Sequence, residues 1–127
     1  MVGNTTDWTA PFSFNLTGKL LLGKNVLSIA AHDAGLVAAM QAQLLMGTTV
    51  LLGSSSSSWK YSLTNPIGWA NATFDDSSWL TPVAKSQTAS PWGNKMPIND
   101  GSASWIWSTD PENHNDVYFR IGFVFNP

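Results

Sequence analysis

Few side chains in this chain of 127 residues have the chemistry of a reaction centre. The acid and base candidates are His32, His114, Glu112 and a handful of aspartates. His32-Asp33 could supply a base and the carboxylate that orients it. No Gly-x-Ser-x-Gly turn presents a nucleophile to that pair, however, and a plain turn after an apolar strand accounts for it more simply. Asp75 and Asp76 are adjacent, so in extended backbone they point to opposite faces and do not flank one bond as a glycosidase pair must. Asp110, Glu112 and Asp116, with Asn99-Asp-Gly101 upstream, gather hard oxygen donors of the kind Ca²⁺ takes, but without calcium-loop spacing. They are weak metal candidates, and an ordinary polar loop explains them as well. Phosphate-binding glycine loops are absent. With no cysteine, a thiolate zinc site, a disulfide framework and a Cys nucleophile are excluded. The chain is not expected to be an enzyme.

The tryptophans carry the more useful question. There are seven, and an indole serves either as a large core residue or as a flat platform for the apolar face of a sugar ring. Trp59, Trp79, Trp105 and Trp107 fall in strand-like positions and read as core. Trp8, Trp69 and Trp92 fall in turn-rich segments beside Asn, Gly and Ser. Together with Asn94 they are the ligand candidates, although packing over the end of the fold is an equal reading.

Composition narrows the partners. Charged residues are 11% of the chain, against the ~25% usual for globular proteins. Six Lys/Arg against eight Asp/Glu give a net charge of −2, which argues against a module driven by phosphate neutralisation, and hence against nucleic acid. No apolar run approaches the ~20 residues of a membrane span. The opening Met1-Val-Gly-Asn-Thr-Thr-Asp7 does not read as a signal peptide, so any secretion signal is expected to lie upstream or to have been removed. Polar character comes from Ser, Thr and Asn, which suits uncharged ligands such as neutral sugars. Three sequons, at Asn4, Asn15 and Asn71, lean weakly toward an extracellular or secreted setting.

The elements that would position these residues are short. Residues 9–16 alternate around Phe12, Phe14 and Leu16, and 25–31 around Val26 and Ile29, so both are expected to be strands. Residues 36–46 have helical propensity but run into the β-rich 48–52. They are assigned as a strand that forms a hairpin with it about Gly47. The serine run 54–58 is expected to be a loop without a hydrophobic face. Residues 59–63, 104–107 and 117–125 complete the strands. Between 68 and 99, Pro82, Pro91 and Pro97 preclude long regular elements. Val117, Phe119, Ile121, Phe123 and Phe125 share one face at period 2, and that face is core. This pattern predicts an all-β, antiparallel, two-sheet jelly-roll sandwich.

The series Trp59-Lys-Tyr-Ser, Gly68-Trp69, Phe74-Asp-Asp-Ser-Ser-Trp79, Pro91-Trp-Gly93, Trp105-Ile-Trp107 and Val117-Tyr-Phe-Arg120 resembles the galactose-binding-domain-like β-sandwiches. Residues 1–46, with Val2-Gly-Asn, Phe14-Asn-Leu16 and Leu22-Gly-Lys-Asn-Val-Leu27, are similar to the C-terminal half of that family, and 59–127 to its N-terminal half. The halves stand in permuted order. The resemblance implies one domain over 1–127 that binds carbohydrate without catalysis, or a structural, self-assembling module without a sugar ligand. It also implies structural roles for Asp75, Asp76, Trp79 and Arg120, one of the aspartates pairing with the arginine. The order leaves three possibilities: a permuted domain, a segment cut across neighbouring repeats of a larger protein, or a subunit completed by a partner chain in a homo-oligomer.

Overall fold

The computed structural model describes residues 2–6, 12–33, 35, 38–85, 98 and 101–126. Seven strands form: β1 Gly23–His32, β2 Gln43–Met46, β3 Thr49–Gly53, β4 Lys60–Ser62, β5 Val83–Lys85, β6 Trp105–Trp107 and β7 Asp116–Phe125. Among the described residues there is no helix, and so none long and apolar enough to cross a membrane. The chain is all-β, and its strand pairs are antiparallel.

The longest pairing joins β1 to β7 over ten residues, from Gly23 opposite Phe125 to His32 opposite Asp116. β4 adds to the other edge of β7, so the main sheet runs β1-β7-β4. β2 pairs with β3 and β5 with β6. Two single bridges extend these sheets: Met40 with Ile106 beside β6, and Tyr61 with Leu80 beside β4.

Because side chains alternate along a strand, β7 presents two different faces. Val117, Phe119 and Ile121 are buried and Phe123 and Phe125 half-buried on one, opposite Ala31, Ile29 and Leu27 of β1 and Tyr61 of β4. That face closes on Ile106 and Trp107 of β6, Trp59 and Ala38, with Met40, Ala42 and Leu52 packed around them. One core therefore unites residues from 1–46 with residues from 59–127. The other face of β7 carries Tyr118, Arg120, Gly122 and Val124.

Three expectations from sequence need correction. Residues 12–16 are not a strand. Phe12 and Phe14 remain about half exposed, and the Phe14 ring lies so close to Gly3 that a side chain there would overlap it. Of 36–46, residues 36 and 37 lie outside the described residues, and of 38–46 only 43–46 is strand. Within 38–42 the backbone bonds Pro111, Ile106 and Ser54 in turn, and three partners in five residues leave no room for a continuous ladder. Finally, the serine run is not all surface. Ser54 is 1% exposed; it accepts from the Ala42 amide at 3.0 Å and donates to the Ser104 carbonyl at 2.6 Å, pinning the hairpin to the segment that enters β6.

The hairpin comes so close to the 102–103 backbone at Gly53 that a Cβ there would overlap the Ser102 carbonyl oxygen and stand 2.7 Å from its carbon. Relief requires main chain to move, not a rotamer. Gly53→Ala should therefore lower stability by about 1–3 kcal/mol, read from the urea midpoint against wild type. An unchanged midpoint would show that the two segments are not held this closely.

Candidate functional site

The outer face of the main sheet is organised by one charge. Arg120 is 2% exposed, yet it points away from the apolar core. A guanidinium has five N–H groups and no way to lose its proton, so burial obliges the surroundings to supply acceptors. The 69–76 segment supplies them. Nε donates to Asp76 Oδ2 at 2.9 Å, Nη1 to the carbonyls of Trp69 and of Asn71 (3.0 Å to the latter), and Nη2 to the Phe74 carbonyl at 3.3 Å. The Phe74 ring covers the guanidinium carbon at 5.3 Å.

This clamp lays an aromatic cluster over the sheet. Trp69 stacks on Trp79 (6.3 Å between centroids, 21° between planes) and meets Tyr118 edge-on at 5.3 Å, while Phe74 meets Trp79 edge-on at 5.7 Å. Lys60, opposite Arg120 across the β4–β7 register, reaches Asp76 at 3.4 Å. The Asp76 carboxyl lies below the ordinary aspartate value of 3.8. Partial burial is the largest single influence and pushes it up, but the hydrogen bonds and charges of Arg120 and Lys60 together outweigh it. Asp75, turned outward, accepts from the Ser77 amide at 3.0 Å, and this bond lowers its pKa as well.

Two grooves flank the clamped segment. The first, of about 420 Å³, runs along the β4 edge and is lined by Ser62, Thr64, Pro66, Ser78, Trp79 and Leu80, with Tyr61 and Leu63. None of these residues is charged. Ser62 Oγ accepts from the Thr64 amide at 3.1 Å and stands 3.3 Å from its hydroxyl, so the two hydroxyls are held together. The second, of about 390 Å³, lies over Gly122 and is bounded by Lys24, Lys60, Phe74, Asp76 and Phe123 among others.

The residues singled out from sequence fall in different places. Trp8, Trp92 and Asn94 lie outside the described residues. Trp69 packs against Trp79 and Tyr118, gives its carbonyl to Arg120, and lines neither groove. Trp79 is only half-buried; it packs outside the core and borders the first groove. Trp59 and Trp107 are core, their indole N–H groups donating to the Gly53 and His114 carbonyls at 2.9 and 2.8 Å. His32 pairs with Asp116 at 2.7 Å rather than with Asp33, because the register sets them opposite one another. Asp110 caps its own turn, accepting from Glu112 and Asn113. The Asn113 side chain is the chief cause of its lowered pKa. Asp110, Glu112 and Asp116 are not gathered with other such residues into a group able to hold a metal ion, among the described residues. Ser108 lies 2.7 Å from His114 Nδ1 but is wholly buried, out of reach of a substrate.

Sequence reasoning missed Ser62, Thr64 and Ser78 of the first groove and Lys24, Lys60 and Gly122 of the second. The period-2 alternation of 60, 62 and 118, 120, 122 could have placed part of each set on one face. Comparison of the chain with protein-family models, with curated proteins and with solved structures gave no match.

The lowered Asp76 value fixes a pH dependence. A carboxylate whose folded pKa is depressed adds stability that is complete above its unfolded value and lost as pH falls through the folded one. Asp76→Asn should cost about 2 kcal/mol at neutral pH, and the gap from wild type should shrink as pH drops below 3.8. Urea unfolding at neutral and acid pH measures it; a gap independent of pH would dissociate Asp76 from the clamp.

Proposed function

We propose that this chain is a non-catalytic, galactose-binding-like jelly-roll module, its two halves in permuted order, that binds neutral carbohydrate in the groove beside Trp79. The observation that carries this reading is the uncharged lining of that groove, in which an indole, that of Trp79, stands with Ser62, Thr64 and Ser78. Sugars offer the complementary chemistry: apolar C–H patches for a ring and hydroxyls for hydroxyls. Its volume is within the range of small-molecule sites. The stack of Trp69 on Trp79 holds the indole in place, so little side-chain freedom is lost on binding. An extracellular or secreted setting accords with this reading.

The test is a titration with neutral mono- and oligosaccharides, followed by tryptophan fluorescence and calorimetry. A sugar of this class should bind, and Trp79→Ala should weaken it by about tenfold, the worth of one aromatic contact. Thr64→Phe, which fills the groove and keeps the indole, should also abolish it. Absence of binding by any neutral sugar, or binding indifferent to both variants, overturns the reading.

A second reading, self-association, is favoured by one specific observation. The β2–β3 hairpin exposes Leu45, Met46, Val50 and Leu51, and Leu21 and Leu22 are more exposed still. Exposed apolar side chains clustered on one hairpin mark a contact surface. On this reading a second copy covers the hairpin, and light scattering at micromolar concentration should give a mass above one chain, returning to one chain in Leu45→Lys/Leu51→Lys. A wild-type monomer throughout removes this reading.

A further inference from the structure

The groove over Gly122 has a different chemistry from the one beside Trp79. In a chain with only six Lys/Arg, Lys24, Lys60 and Arg120 line this single groove, against one acid, Asp76. Asp76 is already engaged by Arg120 and Lys60. Lys24 has no ion-pair partner among the described residues and is exposed at the rim, across the sheet from Val124. Among the described residues, positive charge is therefore concentrated at one place, on a chain of net negative charge.

Gly122 is the second observation, and it is independent of the first. A glycine weakens the interior of a strand, so its presence in β7 asks for a reason. Backbone conformation is not the reason, since Gly122 is not among the glycines at positive φ. Nor is packing, because a Cβ there would meet nothing nearer than the Asn25 carbonyl oxygen at 3.9 Å. What the missing side chain leaves is open space on the floor of the groove. The β1–β7 register runs unbroken through Gly122, so it marks no bulge, and a strand glycine also serves where a ligand approaches the backbone closely.

We propose that this groove is a binding site for a small carboxylate-bearing sugar, of the uronic-acid type, with its carboxylate on Lys24 and its ring over Gly122. A volume of about 390 Å³ far exceeds an inorganic ion and suits a substituted ring. Phe74, Val26 and Val124 supply apolar wall, and Ser58 supplies a hydroxyl. The site stands apart from the Trp79 groove and does not depend on the neutral-sugar reading.

The experiment titrates the full chain at low ionic strength with sodium galacturonate, galactose and sodium sulfate, reading affinity by calorimetry and the thermal midpoint of each variant alone. Galacturonate is expected to bind and to weaken as salt is added, since exposed cations are screened. Gly122→Val, a strand-favouring residue with room for its Cβ, should abolish galacturonate binding without lowering the midpoint. Lys24→Met should weaken it by about tenfold, one charge-assisted hydrogen bond. Trp79→Ala should leave it in place, which separates this site from the neutral one. Sulfate binding as tight as galacturonate would reduce the site to a free-anion site and overturn the proposal. So would galacturonate binding that survives Gly122→Val, or galactose binding lost in that variant to the same extent.

Discussion

Burial of the Arg120 guanidinium is the constraint on which the outer half of this molecule depends. A charge that cannot be neutralised and is 2% exposed must be met by acceptors in fixed positions. Three of the four come from backbone carbonyls of an irregular segment, at Trp69, Asn71 and Phe74, and the fourth is the Asp76 carboxylate. A segment without a strand or helix of its own is thus fixed by one side chain of the neighbouring sheet. The Trp69–Trp79 stack, the Phe74 lid and both grooves inherit their positions from that attachment.

The longest strand of the main sheet was legible in the sequence because period 2 over nine residues admits one reading. Val117 to Phe125 had to put its apolar row on one face. At 25–31 a strand was legible but its core face was not, because Val26 and Ile29 fall on different faces, paired with Gly122 and Phe119. The hairpin about Gly47 was legible for a related reason, a glycine between two apolar runs. What failed depended on contacts distant in sequence. Nothing within 38–42 shows that its amides will bond Pro111, Ile106 and Ser54 in succession. Nothing in a run of five serines shows which one will be buried. Ser54 differs from Ser55 only in where Ala42 and Ser104 lie.

The candidate sites divide along the same line. Residue type and position set Trp79 in the core and Trp69 among the ligand candidates; the structure instead packs Trp69 against Tyr118 and the Arg120 clamp and leaves Trp79 bordering a groove. Adjacency showed that Asp75 and Asp76 must diverge; the structure turns Asp76 to the arginine and leaves Asp75 to Ser77. His32 was read with its sequence neighbour Asp33, whereas antiparallel register gives it Asp116. Spacing along a strand states which face a residue takes, and the partner strand states whom it meets.

The scarcity of charge also explains how the sheets are joined. Where a ladder stops, backbone N–H and C=O groups need other partners. Here uncharged side chains provide them. Asn25 accepts from the Leu21 amide and donates to the Leu21 and Gly23 carbonyls as the chain enters β1. Ser54 bridges the 42 and 104 backbones, and Ser108 accepts from the Asp110 amide after β6. These groups do not titrate over the ordinary pH range, and neutral hydrogen bonds respond weakly to salt. Apart from the His32–Asp116 pair at the end of β1 and the Ser108–His114 contact, the inner half of the fold is therefore held by neutral contacts that respond little to pH and ionic strength. The outer half hangs on Arg120 and Asp76, so acid should loosen the clamped segment and its grooves before it reaches the core.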